Sequence, residues 1–239
     1  MRLIKMLLVA LGMMATMAVA QTPPAPAAPP APDPQNIWHL QLSTGEVVVL
    51  LRPDKAPQHV ERIKTLTRAG FYDGLTFHRV ISGFMAQTGD PKGTGEGDSP
   101  LPNLKAEFND LPHLRGTLAM ARPEDKDGAN SQFFICFQPV MRLDGKYTVF
   151  GRVISGMQFV DAIPPGTGED GAVIGDRQKI VHAWIEADGP NAARVPLVVP
   201  APVAAPAPAA AAPEPAPAAP APEPAAPAPE PASEAPKPN

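Results

Sequence analysis

The segment from 37 to 189 predicts a mainly β domain, with about seven or eight antiparallel strands closed into a barrel and capped by two helices. Two observations lead to this prediction. Short runs rich in β-branched and aromatic residues recur between turn residues, and only two segments show apolar residues at helical spacing. The number of strands also fits a sandwich, so strand count by itself does not choose between these two architectures.

Proline content marks the limits of this domain. Of the 34 prolines, 7 lie in 21–36 and 17 in 190–239, which leaves 10 for the 153 residues between them. Segments so rich in proline cannot form a packed core, so we predict a linker over 21–36 and a disordered Pro/Ala-rich tail over 190–239. Neither flank is expected to stabilise the domain. The tail is either a solubilising extension or a spacer toward the cell wall or a partner protein.

Residues 1–20 are typical of a secretory signal peptide. Arg2 and Lys5 precede an apolar stretch, and the Ala-Val-Ala at 18–20 matches a cleavage site. The apolar stretch is shorter than the ~20 residues that a membrane-spanning helix needs, so we expect cleavage and no membrane attachment afterwards. The single cysteine, Cys136, cannot form an internal disulfide, and export without disulfides favours a periplasmic location.

Charge and motif content argue against several functional classes. The net charge is −4 and no basic stripe is present, so nucleic acid is not an expected partner. The glycines between 89 and 102 match no phosphate-binding motif, and the histidines outside the 77–90 run lack the spacing of metal ligands. We therefore expect neither a metal nor a cofactor. Cys136 lies in an apolar run, which predicts a buried thiol.

The first half of the domain contains two strands and a helix. The strands are predicted at 38–43 and 46–52, on either side of a Thr-Gly hairpin turn. The helix is predicted over 56–69, because Pro57 suits a first turn, apolar residues then recur at helical spacing, and a glycine ends the run.

Five further strands and a second helix complete the domain. The strands are predicted at 75–81, 117–121, 132–137, 147–153 and 179–185. Before the last strand, Ser155 and Gln158 match a capping box that would open a short helix, and Pro164-Pro165 would end it.

Two polar residues lie in otherwise apolar strands. Arg79 needs a partner for its half-buried guanidinium, either an acid such as Glu107 or a ligand at the rim of an apolar pocket. Gln132 either hydrogen-bonds a neighbouring backbone or presents its amide to a peptide. Strand alternation predicts Phe77 on the face of Arg79 and His78 on the opposite face, which favours a core histidine over a general base.

Three runs of the sequence resemble the cyclophilin family of peptidyl-prolyl isomerases. They read FHRVISGFMAQTGD at 77–90, SQFFIC at 131–136 and LDGKYTVFG at 143–151, in the order and approximate spacing of that family. The resemblance spans about 37 to 188 and implies a closed, antiparallel, eight-stranded barrel capped by two helices. It also implies an enzyme without cofactor or metal, whose ligands are proline-containing peptides.

The resemblance implies roles for ten residues. Two are expected to be catalytic: Arg79, whose counterpart lies beside the substrate proline, and Gln87, whose counterpart hydrogen-bonds the peptide. The others are expected to bind substrate, as walls of the proline pocket, as hydrogen-bonding partners or as the stretch that pairs with the peptide backbone. These are Phe84, Met85, Ala121, Arg122, Gln132, Phe134, Leu143 and Tyr147.

Two positions depart from the best-known eukaryotic pattern of the family. Tyr147 stands where a histidine is usual, and its aromatic ring can still close the pocket. Arg142 stands where a tryptophan is usual, so the indole donor and its flat apolar wall are missing. We therefore expect only weak binding of cyclosporin.

The predicted function is isomerisation of X–Pro bonds by a monomer that assists the folding of exported proteins. An arginine hydrogen bond to the prolyl nitrogen would stabilise the twisted transition state, with no covalent intermediate. Two alternatives are a module that grips proline peptides without catalysis and a wall-tethered scaffold in which the tail matters most. The presence of Arg79 argues against the first, because gripping alone does not need that donor.

Overall fold

The computed structural model describes residues 31–167 and 170–199. The predicted signal peptide, most of the predicted linker and the sequence from 200 to 239 lie outside the described residues. Within the described part of the chain, no helix is long and apolar enough to cross a membrane.

The domain is built on one antiparallel sheet of 8 strands. These are β1 Ile37–Leu42, β2 Gly45–Leu51, β3 Arg79–Ile81, β4 Met85–Thr88, β5 Thr117–Met120, β6 Phe133–Cys136, β7 Val149–Ser155 and β8 Ile180–Ile185. Their order across the sheet is β3-β4-β6-β5-β7-β2-β1-β8. The predicted hairpin is confirmed, because β1 pairs with β2 as far as Leu42 opposite Gly45.

The prediction of a closed barrel is wrong. The sheet is open, and β3 and β8 are the two edges of a curled half-barrel. All 3 residues of β3 pair with β4, and none of them pairs with β8. The chain just before β3 instead touches the chain just before β8, through an isolated bridge between Thr76 and Lys179 and a hydrogen bond from Phe77 N–H to the Gln178 carbonyl.

The first predicted helix is confirmed almost to the residue. α1 spans Pro57–Arg68 and has proline in its first turn, as expected. Its apolar side chains at helical spacing, Val60, Ile63 and Leu66, are buried in the main core. The sequence therefore contains both the start signal of this helix and the face that packs.

The second helix is present, but its predicted capping box is wrong. α2 spans Met157–Asp161, and no side chain caps it. β7 continues through Ser155, and the turn is made by Gly156 with a φ of 84°. Glycine is required there, because a Cβ would also lie 2.1 Å from the Glu46 carbonyl oxygen.

Two hydrophobic clusters lie on opposite faces of the sheet. Along β6, Phe133 and Ile135 belong to the main core, whereas Phe134 and Cys136 belong to a second, smaller cluster. The main core is centred on aromatic rings, with Trp38 5.3 Å from Phe133 between ring centroids. Cys136 is buried as predicted, and burial raises the pKa of its thiol to about 12.

The prediction that Phe77 shares a face of the strand with Arg79 is wrong. Phe77 is fully buried in the main core, whereas Arg79 is half-buried and the next residue on its face, Ile81, packs on the second cluster. The regular strand begins only at Arg79, so the period of two does not extend back to Phe77. His78 is buried, as the sequence predicts.

The described chain still contacts the domain beyond 189. Arg194 donates a hydrogen bond of 3.0 Å to the Thr67 carbonyl and pairs with the Asp73 carboxylate. Leu197 packs against the main core. These contacts lie past the limit at 189 that proline content indicates, and they attach the segment from 190 to 197 to the domain.

Candidate active site

The second hydrophobic cluster lies beneath a cavity of about 330 Å³. Nine of the ten residues that the resemblance implies line this cavity. The tenth, Gln132, lies in an adjoining lobe of about 300 Å³, which shares Gln87 and Ala121 with the cavity. The structure therefore brings together all the side chains that the sequence analysis selects.

The floor and one wall of the cavity are apolar. Met85 and Phe134 are buried, and they lie on the neighbouring strands β4 and β6. The register of these two strands sets Gln87 opposite Phe134. Leu143 and Tyr147 form a half-buried wall, and the Tyr147 ring meets Phe134 edge to face at 5.7 Å. The shape and chemistry of this pocket suit a small apolar ring.

Arg79 is held at the polar edge of the cavity. Its Nε–H donates to the Asp170 carbonyl at 2.7 Å, and one Nη1–H donates to Gln87 Oε1 at 3.3 Å. The alternative partner named above, Glu107, instead accepts from His59 Nδ1 at 2.7 Å. Among the described residues Arg79 Nη2 has no hydrogen-bond partner, so its N–H groups are available to a ligand.

Two glutamines connect Arg79 to a glycine-rich loop. Gln87 Nε2–H donates to Gln132 Oε1 at 2.9 Å, and Gln132 Nε2–H donates to the carbonyls of Gly95 and Gly97, both at 2.9 Å. Gln132 therefore bonds backbone, as one of its two alternatives predicts, and also fixes the amide of Gln87. The loop carbonyls orient the Gln132 amide, which in turn makes Gln87 present its oxygen to Arg79.

That loop is anchored by Asp90, a residue that the sequence analysis missed. Its buried carboxylate accepts hydrogen bonds from the backbone N–H groups of Lys92 at 2.7 Å, Thr94 at 2.8 Å and Gly95 at 2.6 Å. Burial alone would raise the pKa of Asp90, but these hydrogen bonds together hold it below its usual value. The dense glycines after an aspartate were the available signal.

Arg122 braces the other side of the cavity. Its guanidinium donates to the carbonyls of Pro123 at 2.8 Å and Lys146 at 3.1 Å, and lies 4.8 Å from the centre of the Tyr147 ring. The preceding Ala121 N–H donates to the Gln132 carbonyl at 2.9 Å. These bonds tie the 121–123 chain to the aromatic wall and to β6.

Two loops supply further cavity residues. Thr94 and Gly95 lie in the glycine-rich loop shortly after β4, whereas Asp170 and Ala172 come from a loop distant in sequence and carry no signal there: Asp170 lies 91 residues after Arg79, to which its carbonyl bonds. His78 also lines the cavity although it is buried, and neither ring nitrogen has a partner among the described residues. Burial lowers the pKa of His78 below its usual value, so its ring is neutral at neutral pH.

Known proteins are similar to this chain in sequence. The model of the family "cyclophilin type peptidyl-prolyl cis-trans isomerase" matches residues 37–184. A probable peptidyl-prolyl cis-trans isomerase of Brucella suis is 48% identical over 167 residues, which cover 65% of this chain and 85% of the relative. Peptidyl-prolyl cis-trans isomerase B of Bacillus subtilis is 47% identical over 118 residues, which cover 48% of this chain and 81% of the relative.

Solved structures share the fold. The cyclophilin AquaCyp293 from Hirschia baltica superposes with a TM-score of 0.59 at 27% identity, covering 66% of this chain and 76% of that one. A cyclophilin type peptidyl-prolyl cis-trans isomerase of Cryptosporidium parvum, crystallised in the presence of the dipeptide Ala-Pro, gives a TM-score of 0.57 at 29% identity, covering 62% and 98%.

The half-barrel, its outer cavity and these matches define one class of protein: the chain belongs to the cyclophilin-type peptidyl-prolyl cis-trans isomerases. Within that class it is an enzyme, and its activity is the cis–trans isomerisation of peptide bonds that precede proline.

Proposed function

We propose that this isomerase works through a hydrogen bond from the Arg79 guanidinium to the nitrogen of the substrate proline, with no covalent intermediate. The observation that carries this proposal is the position of Arg79, fixed by the Asp170 carbonyl and Gln87 at the edge of an apolar cavity. The proline ring would occupy the pocket of Met85 and Phe134, and Arg79 Nη2 would reach its nitrogen.

The chemistry of the X–Pro bond explains why such a donor is useful. Rotation is slow because nitrogen shares its lone pair with the carbonyl, which gives a barrier of ~18–20 kcal/mol. Twisting the bond returns that lone pair to nitrogen. A hydrogen bond from Arg79 is then stronger in the transition state than in the ground state, which is the condition for catalysis.

The magnitudes are compatible with one preorganised donor plus a dry pocket. Shortening isomerisation from tens of seconds to milliseconds requires roughly 10⁴-fold acceleration, or ~5–6 kcal/mol. A preorganised hydrogen-bond donor in a site that excludes water supplies ~3–4 kcal/mol. Desolvation by the apolar floor and binding of the peptide in a twisted form would supply the remainder.

The proposed substrates are proline-containing segments of unfolded exported proteins. The basic and apolar pattern at 1–20 supports export, and the cavity opens on the surface, where an extended chain has access. The enzyme would act as a monomer in the periplasm, and the tail would solubilise it or reach toward the wall. Cell fractionation of the whole chain and of a chain lacking 1–20 tests this; recovery of the whole chain in the cytoplasm contradicts it.

The function itself is tested by measuring the acceleration of isomerisation and the binding of the peptide separately. The cis-to-trans rate of a short neutral X–Pro peptide is measured with and without the protein, and binding of the same peptide is measured by titration. We expect acceleration that scales with protein concentration. Binding without acceleration would instead identify the non-catalytic module named above.

A further inference from the structure

Arg142 places a positive charge beside two residues of the cavity wall, Phe84 and Leu143. It lies in a short 3₁₀ turn, Met141–Leu143, whose last residue lines the cavity. Its Cζ is 4.7 Å from the centre of the Phe84 ring, and Phe84 lines the cavity as well. The side chain is exposed, so its guanidinium stacks on one side and faces solvent at its edges.

No carboxylate of the described residues neutralises this charge. The acid nearest in sequence, Asp144, accepts from the His113 N–H and from His113 Nδ1, both at 2.8 Å. The Asp144 N–H donates in turn to the Met141 carbonyl at 3.1 Å, which fixes the turn that carries Arg142. Arg142 itself has no carboxylate oxygen within 4.0 Å among the residues that the structure describes.

The other charges around the cavity are of both signs. Arg79 and Arg122 line it, and both donate to carbonyl or amide oxygens, which leave their charges in place. Asp170 is the acidic side chain in the lining. The adjoining lobe is also lined by Glu96 and Asp98, so these charges do not by themselves favour an anionic ligand. A preference for anions therefore depends on the guanidinium of Arg142 beside Phe84, which is unpaired within the described chain.

We propose that Arg142 makes this isomerase prefer peptides with an Asp or Glu side chain close to the proline. The inference rests on the proposed function, because it assumes that the proline occupies the cavity beside Phe84. A peptide that fills this cavity passes the edge of the stacked guanidinium, which offers paired N–H donors with the geometry of a carboxylate. Because the guanidinium is already held against Phe84, it loses less conformational entropy when it pairs with a carboxylate of the peptide.

The experiment compares kcat/KM for matched X–Pro peptides that differ by a single Glu or Gln. The substitution is placed in turn one and two residues before and after the proline, and the whole chain is assayed at low ionic strength. At one or more positions we expect a Glu/Gln ratio of about two to five, the range of an exposed ion pair, falling toward one as salt is added.

Three variants test whether Arg142 is the cause of the Glu/Gln ratio. R142Q should bring it to one, and R142K should keep only part of it, because a point charge replaces the stacked, paired donors. R152Q should leave it unchanged, because Arg152 is exposed on β7 and does not line the cavity. A ratio of one at every position in the unaltered protein, or a ratio that survives R142Q, overturns the proposal. Failure to accelerate the Gln peptides would instead contradict the proposed function, so the two failures are distinguishable.

Discussion

Among single residues, Arg79 depends on polar groups outside the apolar floor of the pocket. Its Nε is fixed by a backbone carbonyl, whereas Nη1 meets an amide whose orientation is determined by Gln132 and two loop carbonyls. Each group in this series is bonded on both sides. This array of hydrogen bonds preorganises the flexible side chain of Arg79, because each bond restricts the rotation of the group next to it.

Gln132→Ala tests this array. The substitution leaves the Gln87 amide without its partner, so Gln87 and Arg79 gain freedom at the cavity edge. We expect kcat/KM for a neutral peptide to fall by about tenfold, since small misplacement of a catalytic group reduces the rate strongly. Gln41→Ala, which removes a bond to the Leu42 carbonyl on β1, is the matched control. Equal activities of the two variants would show that the array does not position Arg79.

Sequence reasoning found the residues of the pocket but not their supports. Phe84, Met85 and Phe134 were accessible because they lie in continuous motifs. Asp170 was not, because it offers only its backbone carbonyl to a residue 91 positions away, and such a contact leaves no pattern of residue types. Asp90 was missed although its partners are local, because the glycines after it were read only against phosphate-binding motifs.

Among the structural elements, the glycine-rich loop after β4 depends on one carboxylate. Asp90→Asn should destabilise the fold by about 1–3 kcal/mol, because the ionised group accepts several backbone N–H bonds that an amide cannot all accept. Chemical denaturation at neutral pH measures the free energy of unfolding of both proteins. A difference within experimental error would show that the loop does not need the charge.

The same carboxylate predicts a pH dependence. The pKa of Asp90 is lower in the folded protein than its ordinary value, so the unfolded chain takes up the proton first as pH falls. The stabilisation is complete above the ordinary pKa of about 4 and is lost as pH falls through the lowered value of the folded protein. The stability gap between wild type and Asp90→Asn should therefore narrow only below about pH 4. If the free energies of unfolding of the two proteins become equal near pH 6, the Asp90 carboxylate is not the source of the stabilisation.

The segment after β8 supports a prediction about truncation. A chain ending at 189 loses the Arg194 hydrogen bonds and the packing of Leu197, whereas a chain ending at 199 keeps them. We expect the shorter chain to be less stable by about 1–3 kcal/mol in chemical denaturation. Activity per folded molecule should be equal, because this segment does not line the cavity. Equal stabilities would show that the segment from 190 to 199 does not stabilise the domain.

Element prediction succeeded where local signals are complete and failed where pairing is long-range. α1 contains its own proline start and apolar face, so its sequence specifies it. The closure of the sheet depends on whether β3 meets β8, about 100 residues apart, and no local pattern encodes that. The start of α2 was misread because Ser155 extends β7, a consequence of pairing with β2.

For the whole molecule, the two faces of the sheet have separate tasks. The main core on one face carries most of the buried aromatic side chains, and the smaller cluster on the other face underlies the cavity. Substitution at the cavity rim therefore disturbs few of the contacts that hold the fold together. This separation allows a variant of Arg79 to be compared with wild type as a folded protein.

The central claim is that Arg79 acts on the transition state, and its most direct test compares Arg79→Ala with wild type in both rate and binding. The Kd of a short X–Pro peptide should change less than about threefold, while kcat/KM falls by about 100-fold, since only the twisted bond uses the donor. Arg79→Lys should restore part of the rate, and Arg152→Ala should match wild type. If Arg79→Ala remains folded and keeps more than about a third of kcat/KM, or if Kd weakens as much as the rate falls, the claim is contradicted.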